Sequence, residues 1–239
     1  MVVMENEYTS PHEAQHKSHR APWLRAAVLG VNDGIVSTSG LMLGVLGASA
    51  NNQAAILTAG FAGLVAGAIS MGVGEYVSVS SQKDSEKADI EIERRSIADN
   101  PEQELAELAW IYEQRGVEKE LALQVATQLH AHDAVSAHAR DELNINQDVL
   151  ANPAQAALAS TVAFSIGAAV PIVATLISTA SNGLYIIIGF SIVALAVSGS
   201  VGAYLGGGNK KKAALRVLAG GVLAMAITYG IGLLIGHTL

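Results

Sequence analysis

The sequence predicts an all-α integral membrane protein: five transmembrane helices, with an acidic three-helix cytoplasmic domain inserted between helices 2 and 3. Three observations predict it. Leu24–Ala48, Ala54–Ser81, Ala157–Ala180, Gly183–Gly208 and Ala213–Gly236 each run for more than 20 residues with at most one acidic side chain, beyond the roughly 20 that cross hydrocarbon. Of the 21 acidic residues, sixteen fall within 82–153. All 14 basic residues fall on one side of the topology that the five runs imply.

Taken in order, residues 1–22 carry three histidines, three glutamates and Pro11 ahead of an apolar run that starts too late and runs too long for a cleavable signal peptide. They are expected to form a mobile cytoplasmic tail; His12, His16 and His19 share a helical face there and are not taken as ligands. Residues 23–81 supply helices 1 and 2. Residues 82–153 supply the inserted domain, and 154–239 supply helices 3–5. Lys17, Arg20 and Arg25 flank the first run, Lys83 to Arg140 lie in the insert, and Lys210, Lys211, Lys212 and Arg216 lie between the last two runs. The connections at Ser49–Gln53 and Ser181–Asn182 are uncharged. Basic residues mark the cytoplasmic side, so the N-terminus is placed inside and the C-terminus outside. No organelle-sorting signal is evident, and the expected membrane is a bacterial plasma membrane.

The net charge of −7 belongs to the insert, since only Asp33 and Glu75 lie in the apolar runs and no acid follows Asp148. Such a balance argues against a nucleic-acid partner and for attraction of cations. The chain has no cysteine, which leaves carboxylate, imidazole and thioether as its ligands for a transition metal.

Within the insert the pattern is helical. The chain leaves the second run as SSQKDSEKADIEIERRSI, breaks at Asp99-Asn100-Pro101, resumes as PEQELAELAWIYEQR, turns at Gly116 and continues to RDEL. Pro101 at a helix start, Asn100 as its cap, and Glu102 and Glu104 in the first turn fit helix-start chemistry. Glu86, Asp89 and Glu93 share one face, as do Glu104 and Glu107, and His138 stands one turn from Glu142. Those spacings converge on a common ion; a solvated, salt-bridged surface is the competing explanation.

In the membrane, Asp33 lies roughly 13 Å from the start of helix 1, and on helix 2 Met71 and Glu75 lie at about 15 and 9 Å from the same surface. Met71 and Glu75 are also one turn apart. A thioether with two carboxylates suits Fe²⁺ or Mn²⁺ better than Mg²⁺ or Ca²⁺. A carboxylate in hydrocarbon is driven neutral unless a cation joins it, which is the coupling a metal–proton exchanger needs. Gly30-x-x-x-Gly34, Gly40-x-x-x-Gly44 and Gly63-x-x-x-Gly67 predict closely packed helices.

WLRAAVLGVNDGIVSTSGLMLGV, AGAISMGVGEYVSVSSQKD and the Glu-rich insert ending in RDELNI together resemble the vacuolar iron transporter family, over nearly the whole chain from Trp23. The resemblance implies a homodimer of five-helix protomers, with an ion path between them and a cytoplasmic helical domain that collects metal. It implies export of divalent iron or manganese from the cytosol in exchange for protons. The family's membrane aspartate and methionine fall on Asp33 and Met71, and its domain glutamates on Glu93, Glu104, Glu107 and Glu142. Gly63 stands where some members have a glutamate, Glu75 where they have glycine, Ser96 where they have a further domain glutamate, and His138-Ala139 where they have paired methionines.

The sequence therefore predicts a proton-coupled Fe²⁺ or Mn²⁺ exporter rather than an enzyme. Its expected metal-binding residues are Asp33, Met71, Glu75, Glu93, Glu104, Glu107, His138 and Glu142, its partners are the ion, protons, lipid and a second copy, and no resident cofactor is expected. A membrane-anchored buffer or sensor is the alternative, but an anchor needs one span and no intramembrane aspartate. A di-iron oxidase would need Glu-x-x-His on two helices of a bundle, which this chain does not supply.

Overall fold

A computed structural model of the protein describes residues 22–49, 52–145, 152–179 and 181–238. The tail with His12, His16 and His19 lies outside the described residues. Among the described residues seven helices follow in chain order: α1 (Pro22–Ala48), α2 (Gln53–Asp99), α3 (Pro101–Gln114), α4 (Lys119–Asp141), α5 (Pro153–Leu176), α6 (Gly183–Gly206) and α7 (Lys210–Thr238). Five of them, α1, α2, α5, α6 and α7, are long and apolar enough to cross a membrane, and the chain is a multi-pass membrane protein. Two compact units divide it: one takes in the described residues of Met1–Tyr76 and Ala154–Leu239, the other those of Val77–Pro153.

In the first unit α1 is the hub. Its backbone touches α5 and α7 because glycine removes the side chain at each crossing. A Cβ at Gly34 would lie 2.2 Å from the Phe164 carbonyl oxygen of α5, and one at Gly167 would lie 2.2 Å from that of Val31. On the other flank a Cβ at Gly232 of α7 would fall 2.0 Å from the Gly44 carbonyl oxygen. These crossings bear out the packing expected of Gly30-x-x-x-Gly34 and Gly40-x-x-x-Gly44. Around them Ile35, Met42 and Leu43 of α1 pack with Ile56, Ile172, Ile187, Leu195 and Met225 in one buried cluster. The outer faces stay apolar, as Phe61, Val65, Ile69 and Val73 along α2 and Val193, Val197 and Val201 along α6 illustrate. That is the inverse of a water-soluble surface and suits hydrocarbon solvent.

The second unit is built from residues 77–99 of α2 with α3 and α4. Its apolar core is small: Leu108, Ala109, Ala126 and Ala137, with Leu105, Tyr112 and Leu129 packed on it. Gly116 turns the chain between α3 and α4 at φ 93°, the left-handed conformation that glycine adopts without strain. Two local expectations change. Asn100 occupies the cap position of α3, but its side chain makes no capping hydrogen bond; its carbonyl instead accepts from the amides of Gln103 and Glu104 at 3.1 Å. The third helix is not continuous either. Asp133 leaves helical geometry (φ −159°, ψ 94°), and its carboxylate accepts from the Ser136 amide at 3.0 Å and hydroxyl at 2.7 Å. Asp133 thus caps the final stretch of α4, and those bonds to Ser136 hold its pKa below the usual carboxylate value.

Candidate metal centre

The last turns of α2, the face of α3 and the capped end of α4 bring Glu93, Glu104, His138 and Glu142 together. His138 is fully buried, and Glu93 and Glu104 are buried beside it. Its Nδ1 lies 3.0 Å from Glu142 Oε2, 3.0 Å from Glu93 Oε1 and 3.9 Å from Glu104 Oε2. One ring nitrogen carries at most one proton, so it can serve one of these oxygens. The approach to Glu142 is a hydrogen bond; Glu93 Oε1 is left buried with no hydrogen-bond partner. The other oxygen of Glu104 is bonded by the Ser96 hydroxyl. Buried acceptors without donors are costly, and a cation is the ligand that three carboxylates around one imidazole would satisfy.

The electrostatics follow. Burial raises the Glu93 pKa above its ordinary value; the nearby carboxylate of Glu142 adds to the rise, while His138 opposes it. Glu107, expected as a ligand, stands exposed at the rim, and its pKa is raised by partial burial and by the charges of Glu142 and Glu104. Glu86 and Asp89, on the same sequence face as Glu93, do not join the cluster: Glu86 instead accepts from the Gln82 amide at 2.8 Å.

Two residues that were not among the expected ligands complete the surroundings. Ser96 orients Glu104, and His130 packs edge-on to His138 with ring centroids 5.9 Å apart. Burial lowers the His130 pKa, and both rings keep a buried Nε2 without a hydrogen-bond partner. Histidine at 130 and 138 spans two helical turns, but the break at Asp133 removes that simple periodicity, so the signal was hidden. The end of α4 is fixed by Asp141, which accepts from Tyr112 Oη at 2.7 Å, Arg115 Nη1 at 2.8 Å and Arg140 Nη2 at 2.9 Å. Burial alone would push Asp141 up; the hydrogen bonds from Arg140, Arg115 and Tyr112 outweigh it and bring its pKa to about 2. Adjacent Glu142 is thereby held in place.

The membrane residues are arranged differently. Asp33 is half-buried on α1, on a stripe with Leu29, Ser37 and Leu41, which are exposed on the single chain. Its neighbour Asn32 turns to α6 instead, accepting from the Ser198 hydroxyl at 2.5 Å. Met71 packs against the cluster of Ala68, Phe164 and Ala168, and Glu75 is half-buried one turn further along α2. Among the described residues, Glu93, Glu104 and His138 are the one group of three or more acidic or histidine side chains with ligand atoms close enough to share an ion. Asp33 and Glu75 are not drawn into such a group, and neither carboxylate has a hydrogen bond or ion pair among the described residues.

The family model of the VIT family matches residues 24–233. A vacuolar iron transporter of Acanthamoeba castellanii is 47% identical over 223 residues, covering 92% of this chain and 82% of its own. Vacuolar iron transporter homolog 2.1 of Arabidopsis thaliana is 37% identical over 235 residues, 97% of this chain and 91% of its own. Vacuolar iron transporter homolog 5 of Oryza sativa subsp. japonica is 40% identical over 213 residues, 89% and 80% of the two chains.

Proposed function

The chain belongs to the VIT family, and on that premise we propose that it is a proton-coupled transporter exporting Fe²⁺ or Mn²⁺ from the cytosol. The observation that carries the metal reading is the buried cluster of Glu93, Glu104 and His138, with Glu142 on the same imidazole nitrogen and an acceptor oxygen left without a donor. Three carboxylates and one imidazole form a mixed oxygen–nitrogen set that suits these ions. Relatives named for iron transport over most of both chains support the cargo assignment. In this reading the 82–153 insert captures the ion, with Glu107 at its rim. Asp33, Met71 and Glu75 then pass the ion through the membrane, and protonation of the carboxylates from the far side releases it. The metal is cargo, and no covalent chemistry is assigned to the chain.

A second copy of the chain completes the path. Asp33 stands on an α1 stripe that is exposed on the single chain, between Leu29 at 56% and Leu41 at 44% exposure. A carboxylate does not face hydrocarbon without a partner, and a protomer packed on that stripe would enclose it. The basic residues place the N-terminus and the insert in the cytosol by the positive-inside rule. A bacterial plasma membrane is the sequence reading, and the relatives are named for the vacuole; either way the ion leaves the cytosol. A buffer or sensor without transport would leave five spans and Asp33 without a task.

Transport tests the reading. Wild type in sealed proteoliposomes is expected to move Fe²⁺ or Mn²⁺ against a proton flux, and Asp33→Ala is expected to abolish both. Metal movement by Asp33→Ala as fast as wild type, under an imposed pH gradient, would sink the mechanism.

A further inference from the structure

A furrow runs along the membrane unit on the side of α1 away from Asp33. Leu24 and Ile35 mark its ends on α1, Ala194 and Leu205 mark them on α6, and Ile166 and Val170 of α5 form the floor. The register of α1 against α6 is fixed at two levels: the Ser198 hydroxyl donates to Asn32 Oδ1, and a Cβ at Gly202 would meet Val28 Cγ1 at 2.9 Å. Leu24 and Leu205 therefore open at the same end. Twelve residues on either helix, eleven rises of about 1.5 Å, make the furrow about 16 Å long, close to half the roughly 30 Å hydrocarbon core. It offers no unmet polar group, because the lining hydroxyl of Ser198 is already bonded to Asn32 and to the Leu195 carbonyl.

The mouth is placed at a membrane boundary by a separate observation. Tyr185 and Tyr204 are exposed at 75% and 58% on α6. Their spacing along the helix, about 28 Å, matches the separation of the two aromatic belts that flank hydrocarbon. At the Tyr204 end Lys210 holds its Nζ 4.4 Å from the ring centroid, followed by Lys211, Lys212 and Arg216, all exposed or nearly so. No acidic residue follows Asp148 in the sequence. None of the ion pairs among the described residues uses these four cations.

We propose that the α1/α5/α6 furrow is a binding site for one anionic phospholipid of the surrounding bilayer, its acyl chain along the furrow and its phosphate at Lys210 and the lysines that follow. The apolar length fits one leaflet, and the uncompensated positive charge lies where a headgroup sits. A zwitterionic lipid could fill the furrow but brings its own cation to the lysines, so the preference is for net negative charge.

The test uses the full chain in detergent, exposed to equal amounts of phosphatidylglycerol and phosphatidylcholine with identical acyl chains, with retained lipid counted by native mass spectrometry. Phosphatidylglycerol is expected to be retained preferentially, and Lys210→Gln is expected to lower that preference by about fivefold, the contribution of one lysine near a membrane surface. Val201→Trp, which fills the furrow from an exposed position, is expected to reduce retained lipid of both kinds. Glycerophosphoglycerol without chains is expected not to compete. Equal retention of the two lipids by wild type, an unchanged preference in Lys210→Gln, unaltered retention in Val201→Trp, or competition by the chainless headgroup would each overturn the proposal.

Discussion

The two units of this chain bury polar groups by opposite means. In the Val77–Pro153 unit the buried charges are gathered: Glu93, Glu104 and Glu142 converge on His138, and Asp141 collects Tyr112, Arg115 and Arg140. In the membrane unit small residues let helix backbones meet, and its two described carboxylates, Asp33 and Glu75, are kept apart from such clusters. The difference follows from solvent. Water can solvate a partly opened cluster, so an acidic group there can be assembled and filled by an ion. Hydrocarbon cannot, so a membrane carboxylate is kept only where another surface covers it.

The largest effect that sharpens this contrast is at a helix crossing. Gly34→Ala would put a Cβ 2.2 Å from the Phe164 carbonyl oxygen, a backbone atom that can yield only if α1 and α5 separate. Overpacking of this kind costs about 3 kcal/mol or more, and the variant is expected to give no monodisperse peak by size exclusion in detergent. Gly74→Ala is the matched control, with nothing within 4 Å of its Cβ. Its expected effect is a rise in melting temperature, from about 0.8 kcal/mol of helix propensity. Equal loss in both variants would show that the crossing is not the constraint.

Next in size is the candidate metal site. His138→Ala removes the imidazole shared by the three carboxylates and is expected to lower Mn²⁺ affinity, measured by titration calorimetry on the full chain, by about 100-fold, at least what the loss of an outer-shell partner costs. Asp33→Ala is expected to leave that high-affinity isotherm unchanged while transport is lost. Were Asp33→Ala to abolish the isotherm too, capture and passage would not be separate functions of separate units.

How much of this was legible beforehand depends on the range over which each signal acts. The five spans, the helices of the insert and the turn at Gly116 are local features of hydropathy and backbone preference, and they were readable residue by residue. The i, i+4 pair His138–Glu142 was likewise local, and it is a hydrogen bond in the fold. The pairing of Glu93 with Glu104 and His138 joins three helices; spacing alone offered Glu86 and Asp89 equally, and only the family resemblance singled out Glu93. His130 was hidden because its approach to His138 requires the break at Asp133, an Asp-x-x-Ser cap inside an apparently uniform helix. The hub role of α1 was hidden for a similar reason: glycine spacing marks a close crossing but does not name the partner helix.

A third test separates the two carboxylate groups inside the insert itself. Asp141, held at about 2, contributes stability that is present above its ordinary value of 3.8 and is lost as pH falls toward 2; the whole contribution is about 2 kcal/mol. Glu93 and Glu107, raised above 4.5, act in the opposite sense. In metal-free protein their contribution is fully present below 4.5 and is lost as pH rises through their folded values. The protection of the insert amides against hydrogen exchange, relative to the intrinsic rate at each pH and without metal, is therefore expected to be greatest in a mildly acidic window near 4 to 4.5. Asp141→Asn is expected to weaken protection at every pH above about 4 and to leave it unchanged near pH 2, whereas Mn²⁺ at neutral pH is expected to restore what ionised Glu93 and Glu107 remove. Protection that rises steadily toward alkaline pH without metal would contradict the burial of Glu93 and Glu107 among neighbouring carboxylates.

The smallest predicted effect asks whether the cluster is tuned or merely filled. Ser96 stands where the family resemblance points to a further glutamate, and its hydroxyl instead donates to Glu104. That bond fixes one Glu104 oxygen and leaves Oε2 facing His138 at 3.9 Å. Ser96→Ala removes about 1 kcal/mol of hydrogen bonding, so Mn²⁺ affinity is expected to fall about fivefold with the melting temperature barely changed. Ser96→Glu would restore a fourth carboxylate beside Glu93, Glu104 and Glu142, where burial and the neighbouring Glu142 already raise the Glu93 pKa. It is expected to bind the ion more tightly at neutral pH but to lose it more steeply as pH falls, since an added carboxylate must be deprotonated before it can ligate. An affinity that did not change in either variant would mean that Glu104 is positioned by packing alone, and that serine at 96 is a neutral replacement rather than a way of orienting a ligand without adding charge.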